Sequence, residues 1–311
     1  MIPSLPLVVA VFAAPAAQVP TEVWQVAPDA KGKPGWLNTP RTHDRAVLLI
    51  PGLKIHPLRP MMATRPFLRD WQQPTSELVR ELAKDFDVFA FGYAQTVPLD
   101  AVAEAPSLRS IVAEIRKAGY TEIVLIGHSA GGVIARLFVE NYPDAGVTKV
   151  ITVAAPHAGS DLANLKVGYP RAQAPFVQSL TKNARSESGS RPIPAALEMA
   201  CVVCKLKRFD GDGLVSIASQ WPEECRKIGI PVVLQEVNHW EAMLSAASAK
   251  TIGELAREKL TRWNAEQVDK ARKILFGSPA PQPNRRRTQQ KRARAGSRAT
   301  RSDRITNPTV A

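Results

Sequence analysis

The hydrophobic residues of this chain fall into short continuous runs that are separated by amphipathic segments. Apolar and β-branched runs predict strands at residues 21–26, 46–50, 87–91, 122–126, 149–153, 200–207 and 232–237. Apolar residues with a helical period predict helices at residues 76–84, 107–118, 132–142 and 251–275. Strands that alternate with helices through short turns indicate βαβ units. We therefore expect an α/β fold with a mostly parallel central sheet and helices on both faces.

Two irregular segments interrupt this alternation. Residues 53–73 form a long predicted loop, and residues 161–200 contain four prolines and a serine-rich stretch. We interpret residues 161–200 as a cap or lid insertion in a domain that spans residues 21–276. Its apolar side chains fit either an amphipathic lid that opens at a lipid surface or a fixed cap; they are Phe176, Val177, Leu180 and Leu197.

Net charge separates the C-terminal segment from the rest of the chain. The chain carries +13, but residues from Lys270 onward hold twelve Lys and Arg against Asp303, so residues 1–269 are near neutral. We expect residues 277–311 to be a disordered basic tail. It is either a solvated tail without a fixed partner or a contact for a polyanion or an anionic membrane surface.

The N-terminus and the cysteines leave the cellular compartment open. Residues 1–20 read as a signal peptide, with an apolar run before Ala14-Pro15-Ala16, or as a disordered leader, because no Lys or Arg precedes that run. Cys201, Cys204 and Cys225 are either buried free thiols or include one bridge to Cys225, which would imply export. No apolar run is long enough to predict a transmembrane helix. A secreted or periplasmic location and a cytoplasmic one both remain open.

The motif Gly127-His128-Ser129-Ala130-Gly131 lies between the predicted strand 122–126 and a predicted helix. A strand that is followed by Gly-x-Ser-x-Gly and a helix is the context of a nucleophile elbow. In such an elbow the glycines allow a sharp turn that exposes the serine hydroxyl. The alternative is an ordinary glycine-rich turn. We predict that Ser129 is a catalytic nucleophile.

A serine nucleophile needs a base, and a histidine is the expected one. His43 and His56 precede the motif, and the side chain of His128 should point away from that of Ser129, which leaves His157 and His239. The order Ser, acid, His favours His239, since it follows the last predicted strand. The acid is expected in the Asp210-Gly211-Asp212-Gly213 loop, where the residues alone do not separate Asp210 from Asp212.

An oxyanion hole requires two backbone N–H donors. Ala130, the residue after the nucleophile, supplies one of them. The other comes from the loop after the strand 46–50, and because Pro51 has no N–H it must be Gly52 or Leu53.

The span from residue 46 to residue 246 resembles the bacterial triacylglycerol lipases and related serine esterases of the α/β-hydrolase superfamily. The resemblance rests on Pro51-Gly52-Leu53, the Ser129 motif with Gly132, residues 155–161, Asp212-Gly213-Leu214-Val215 and Asn238-His239. It implies an α/β-hydrolase fold, Asp212 as the acid and Leu53 as the first oxyanion donor. The family has His-Gly where this chain has Pro51-Gly52, so a side-chain contact that orients that loop is lost.

Some lipases of this kind bind calcium, and Glu241 would match one ligand. Only Glu187 and Glu198 could partner it from the insertion, so we predict neither a metal nor a cofactor.

The expected function is a serine carboxylic-ester hydrolase, an esterase or lipase, that works through an acyl-enzyme on acyl-ester or lipid substrates. Acyltransfer, thioester cleavage and polyester cleavage use the same triad. A non-catalytic protein that binds a polyanion through its tail is the alternative of another class.

Overall fold

A computed structural model describes residues 19–28, 40–164, 168–187 and 191–277. The chain divides into two compact units, Met1–Val268 and Asp269–Ala311. The sheet and all candidate site residues lie in the first unit. The leader expected at residues 1–20 and the tail expected at residues 277–311 fall almost entirely outside the described residues, so both stay predictions.

In the part of the chain that the structure describes, seven strands form one sheet in the order β1-β3-β2-β4-β5-β6-β7. Every neighbouring pair from β3 to β7 in this order is parallel, and β1 runs antiparallel along β3. The carboxyl ends of the parallel strands therefore meet at a single edge, where ligand sites of such sheets lie. The strands are β1 (Thr21–Ala27), β2 (Arg45–Ile50), β3 (Asp87–Tyr93), β4 (Glu122–His128), β5 (Lys149–Val153), β6 (Glu198–Cys204) and β7 (Val232–Gln235).

The helices lie in the connections between the strands and, for the last two, after the final strand. They are α1 (Glu77–Leu82), α2 (Leu99–Ala103), α3 (Pro106–Lys117), α4 (Ala130–Asn141), α5 (Ala174–Gln178), α6 (Lys182–Glu187), α7 (Ile217–Gln220), α8 (Glu223–Lys227), α9 (Ala246–Arg257) and α10 (Ala265–Phe276). Short 3-10 helices lie at Pro60–Thr64, Asp70–Gln72, Asp161–Asn164, Arg171–Gln173 and Glu241–Met243.

Both faces of the sheet are buried under helices, as the sequence predicts. Successive side chains of a strand point to opposite faces. Leu49 of β2 joins a core that includes Leu78 of α1 and Ile252 of α9. Its neighbour Leu48 is fully buried on the other face. There Gly132 of α4 lies so close to β5 that a Cβ atom on it would be 3.2 Å from the Cβ of Thr152.

The prediction of one closing helix at residues 251–275 is wrong. Helix α9 ends at Arg257, and α10 begins at Ala265. The buried ammonium of Lys149 in β5 donates to the carbonyls of Ala256 and Glu258, 2.7 Å from each, which holds the chain where α9 ends. A lysine that donates to the free carbonyls at a helix C-terminus is favourable there, but this lysine belongs to a distant strand.

Several boundaries also differ from the prediction by a few residues. Strand β6 begins at Glu198 rather than at residue 200, because Glu198 pairs in register with Lys149 of β5. The irregular segment after β5 thus ends at residue 197. It contains the short helices α5 and α6, whose lengths fall below what apolar periodicity can reveal.

Candidate active site

Ser129 lies at the sharp turn between β4 and α4, at the carboxyl edge of the sheet. Its backbone has φ 53° and ψ −126°, a conformation that non-glycine residues adopt only under strain. Glycines make the turn possible. A Cβ on Gly127 would lie 2.3 Å from the carbonyl oxygen of Gly131, and one on Gly131 would lie 2.2 Å from the carbonyl oxygen of Ile50. This is the geometry of a nucleophile elbow.

Asp212 and His239 form a buried pair in the loops after β6 and β7. The Nδ1 atom of His239 lies 2.7 Å from Oδ2 of Asp212, and both residues are less than 5% exposed. The backbone N–H groups of Leu214 and Val215 donate to Oδ1 of Asp212, at 2.9 and 2.8 Å. Because the carboxylate accepts from Nδ1, the imidazole carries its proton there, and Nε2 has a free lone pair.

The structure separates the two aspartates that the residues alone left equivalent. Asp212 is buried against His239, whereas Asp210 is exposed and lines a cavity of about 220 Å³ beside the acid loop. The side chain of Gln220 supports this loop, since its Nε2 donates to the carbonyls of Cys204 and Val215, each at 2.9 Å.

The other histidines occupy places that do not serve Ser129 as a base. His43 also contacts a carboxylate, that of Asp87 at 3.0 Å, but Asp87 begins β3 and so lies at the opposite edge of the sheet. The Nε2 of His157 contacts the hydroxyl of Thr152 at 3.2 Å. His56 packs edge-on against Phe67.

His128 has a role that the sequence analysis did not foresee. Its Nε2 donates to the backbone carbonyl of His239 at 2.9 Å, and the two rings lie 4.8 Å apart. Burial holds the pKa of His128 well below its ordinary value, so its imidazole stays neutral. His128 therefore joins the elbow to the loop that carries His239. In the described chain, the Ser129 hydroxyl forms no hydrogen bond with His239; such bonds are often long before substrate binds.

The backbone N–H groups of Leu53 and Ala130 are both available. Neither donates a hydrogen bond within the described residues. The loop after β2 touches the serine directly, because a Cβ on Gly52 would lie 2.6 Å from the Cβ of Ser129 and 3.2 Å from its Oγ. Of the two expected oxyanion donors, Ala130 thus follows Ser129 in sequence, and Leu53 follows Gly52, which contacts Ser129.

Buried polar side chains hold the loop that contains Leu53. The Tyr93 hydroxyl donates to the carbonyl of Pro51 at 2.7 Å. Gln95 donates to the carbonyl of Gly52 at 3.0 Å and accepts from the N–H of Lys54 at 2.9 Å. Sequence reasoning missed these residues, since nothing in their spacing distinguishes them from other polar residues.

Gln173, from the insertion, extends this network. It donates to the carbonyl of Lys54 at 2.8 Å and accepts from the N–H of His56 at 3.1 Å. Both Gln95 and Gln173 are fully buried. The loop that begins at Pro51 is thereby fixed through its backbone.

The described residues contain no group of three or more His, Cys, Asp and Glu side chains that is arranged to hold a metal ion. Among them, no helix combines the length and the apolar character that crossing a bilayer requires. Cys201, Cys204 and Cys225 are buried free thiols, in agreement with the first of the two interpretations above.

Comparisons with known proteins agree with this architecture. Residues 99–185, which include the elbow, match the PGAP1-like alpha/beta domain. No curated protein sequence matches the chain. The mature form of the lipase BlEst2 from Bacillus licheniformis is similar in structure, with 14% identity, a TM-score of 0.56, and coverage of 75% of this chain and 97% of the lipase.

Two further solved structures resemble the chain. The phospholipase PlaB from Legionella pneumophila has 16% identity and a TM-score of 0.53, over 75% of this chain and 62% of that one. Lipase B from Aspergillus fumigatus has 12% identity and a TM-score of 0.50, over 76% and 57%. With the sheet order and the elbow, these likenesses identify the fold as the α/β-hydrolase fold of lipases and esterases, as the sequence predicts.

Proposed function

We propose that this protein is a serine hydrolase of carboxylic esters, with Ser129 as nucleophile, His239 as base and Asp212 as the acid of the triad. The observation that carries the proposal is the strained Ser129 at the β4–α4 turn, beside the loop of a buried His239–Asp212 pair. A backbone strained in this way persists only where the surrounding structure holds it, and such residues cluster at active sites.

The first half of the reaction acylates Ser129. Its Oγ forms a bond to the ester carbonyl carbon while Nε2 of His239 accepts the hydroxyl proton. The carbonyl oxygen becomes an oxyanion, which the N–H groups of Leu53 and Ala130 stabilise. The tetrahedral intermediate collapses, the bond to the alcohol oxygen breaks, and His239 returns the proton to the leaving alcohol.

The second half repeats these steps with water. His239 accepts a proton from the water as its oxygen attacks the acyl carbon. Collapse breaks the bond to Ser129 Oγ and releases the acid, while Oγ regains its proton. The carboxylate of Asp212 stabilises the imidazolium in both halves and is not itself protonated.

The surface around the site indicates a lipid-like substrate. Large apolar side chains, 37% to 93% exposed, lie on the loops that follow the carboxyl ends of β2, β5, β6 and β7. A single exposed apolar residue is ordinary, but a set contributed by four loops around one edge favours contact with acyl chains. This apolar rim consists of Ile55, Leu58, Met61, Met62, Leu162, Phe209, Leu214, Trp240 and Leu244.

We further propose that the insertion is a fixed cover rather than a mobile lid. Its apolar residues Phe176, Val177 and Leu180 are buried, and Phe176 stacks on Tyr93 with ring centroids 5.9 Å apart. The Ser179 hydroxyl also accepts from the N–H of Leu99 at 3.0 Å. Opening would expose these side chains and break these bonds together.

Labelling with a fluorophosphonate and turnover of p-nitrophenyl esters, from acetyl to palmitoyl, test the proposal. Wild-type protein should be labelled and should prefer acyl chains of medium length or longer. Ser129→Ala should lose labelling and at least about 10⁴ in rate while it stays folded. Labelling or turnover by Ser129→Ala at the wild-type level contradicts the assignment of the nucleophile.

A matched pair of surface variants tests the substrate class. The double variant Leu58→Ser, Met61→Ser should lose activity on palmitoyl esters and retain it on acetyl esters. Ile228→Ser is the control, because Ile228 is 44% exposed but precedes β7, at the amino edge of the sheet. Equal losses in both proteins, or a loss on acetyl esters alone, would argue against a role of the apolar rim.

A further inference from the structure

Gln95 lies directly behind the loop that carries the expected oxyanion donor Leu53. It follows β3, is fully buried, and its side-chain amide faces the loop backbone. Its Nε2 donates to the carbonyl of Gly52 at 3.0 Å, and its Oε1 accepts from the N–H of Lys54 at 2.9 Å. One amide thus binds one group from each of the two peptide units that flank Leu53.

The planarity of the peptide bond turns these contacts into a constraint on the Leu53 N–H. The carbonyl of Gly52 and the N–H of Leu53 belong to one trans peptide unit, so they point in opposite directions. Holding the carbonyl towards Gln95 aims the N–H away from it. The bond to Lys54 fixes the next peptide plane and prevents rotation about the Leu53 backbone.

The expected nucleophile, Ser129, lies close to this peptide unit. A Cβ on Gly52 would lie within 3.2 Å of Ser129 Oγ, and the Leu53 N–H donates no other hydrogen bond in the described part of the chain. We infer that Gln95 is a positioning residue, which aims the Leu53 N–H at the oxyanion. Gln173 supports it from the insertion through Lys54 and His56.

This inference rests on the proposed function and explains how the loop works without the histidine that resembling enzymes have before Gly52. The side-chain amide of Gln95 orients the loop instead, because it pairs with a backbone carbonyl and a backbone N–H of the loop as a neighbouring strand would. A misaimed donor weakens binding of the transition state more than binding of the ester, because the charge on the oxygen develops only in the transition state.

The test compares Gln95→Met with Gln72→Met. Gln72 is an equally buried glutamine, but its Nε2 donates to the carbonyls of Leu49 and Phe91, not to the flanks of Leu53. Gln95→Met should lower kcat on a soluble p-nitrophenyl ester by roughly 10- to 100-fold with little change in KM, since full loss of an oxyanion donor costs about 10²–10³. Gln72→Met should lose stability but keep kcat within about threefold.

A trifluoromethyl ketone provides a readout that a merely structural role would not change. Ser129 adds to it to form a tetrahedral oxyanion. Its affinity for Gln95→Met should therefore fall by the same factor as kcat/KM. Equal kcat losses in the two variants, or an unchanged ketone affinity in folded Gln95→Met, overturns the inference.

Gln95→Glu adds a test by pH. An ionised carboxylate accepts from Lys54 but repels the carbonyl of Gly52, whereas a protonated carboxyl donates to it, and burial favours the protonated form. The kcat of Gln95→Glu relative to wild type should rise as pH falls, while that of Gln95→Met stays constant. A flat ratio at the level of Gln95→Met contradicts the inference.

The two proposals fail in different ways. If wild-type protein shows neither ester turnover nor fluorophosphonate labelling, the proposed function is wrong. If wild type is active and folded Gln95→Met has the same kcat, the function stands and the positioning role of Gln95 is wrong.

Discussion

Replacing Asp212 with asparagine should inactivate the protein through the tautomer of His239. The N–H groups of Leu214 and Val215 both donate to Oδ1 of Asp212. In Asp212→Asn the amide oxygen must take this position, because an NH₂ group there would face two donors. The NH₂ group then faces Nδ1 of His239, which has to accept a hydrogen bond.

The imidazole consequently carries its proton on Nε2 and has no lone pair for the Ser129 proton. The same change of tautomer in a serine protease costs about 10⁴ in kcat, equivalent to about 5.5 kcal/mol of barrier. Since both backbone bonds to Oδ1 survive, the variant should fold. Asp212→Ala would leave the buried N–H of Val215 unsatisfied, at about 1–3 kcal/mol, and would also remove the acceptor of the Leu214 N–H, so it is the less informative change.

The assay is kcat/KM on a soluble p-nitrophenyl ester, with thermal unfolding to establish that each variant is folded. Asp210→Asn is the control, because Asp210 is exposed and two residues away. It should stay within about threefold of wild type, as surface changes usually have small effects. Folded Asp212→Asn with more than about 1% of wild-type activity, or an Asp210→Asn variant that is the more damaged, would refute the reasoning.

Three further predictions follow from the same geometry. Ser129→Gly should be more stable than Ser129→Ala by about 1–2 kcal/mol in denaturant unfolding, because only glycine adopts φ 53° without strain. Equal stabilities of the two variants would show that the backbone of Ser129 is not strained. Gly52→Ala should lower kcat on the order of 100-fold in a folded protein, because its Cβ would lie 2.6 Å from that of Ser129. Turnover at the wild-type level would show that the loop shifts to make room for the added methyl group. Below pH 6.5 the unfolded chain protonates His128, whereas the buried His128 of the folded chain stays neutral. The free energy of unfolding should therefore decrease as the pH is lowered, by up to about 1.4 kcal/mol per pH unit, and less steeply in His128→Gln. Parallel curves for the two proteins would refute this prediction.

The local sequence determined the fold class and predicted Ser129 as the nucleophile. Buried parallel strands are apolar along their whole length, so they stand out as continuous runs. The elbow is equally local, because its glycines lie two residues before and after Ser129 and are required by backbone sterics at that turn. Resemblance to a known family, rather than pattern, selected Asp212 and Leu53.

Only the tertiary structure decided the features that depend on residues distant in sequence. Burial against His239 separates Asp212 from Asp210, although both lie in the same Asp-Gly loop. Helix α9 ends where Lys149, more than a hundred residues earlier in the chain, donates a hydrogen bond to the carbonyl of Ala256. Gln95 looks like any polar residue until the fold places it behind Gly52. A periodic pattern records which side of its own element a residue faces, but not which distant backbone atom its polar group meets.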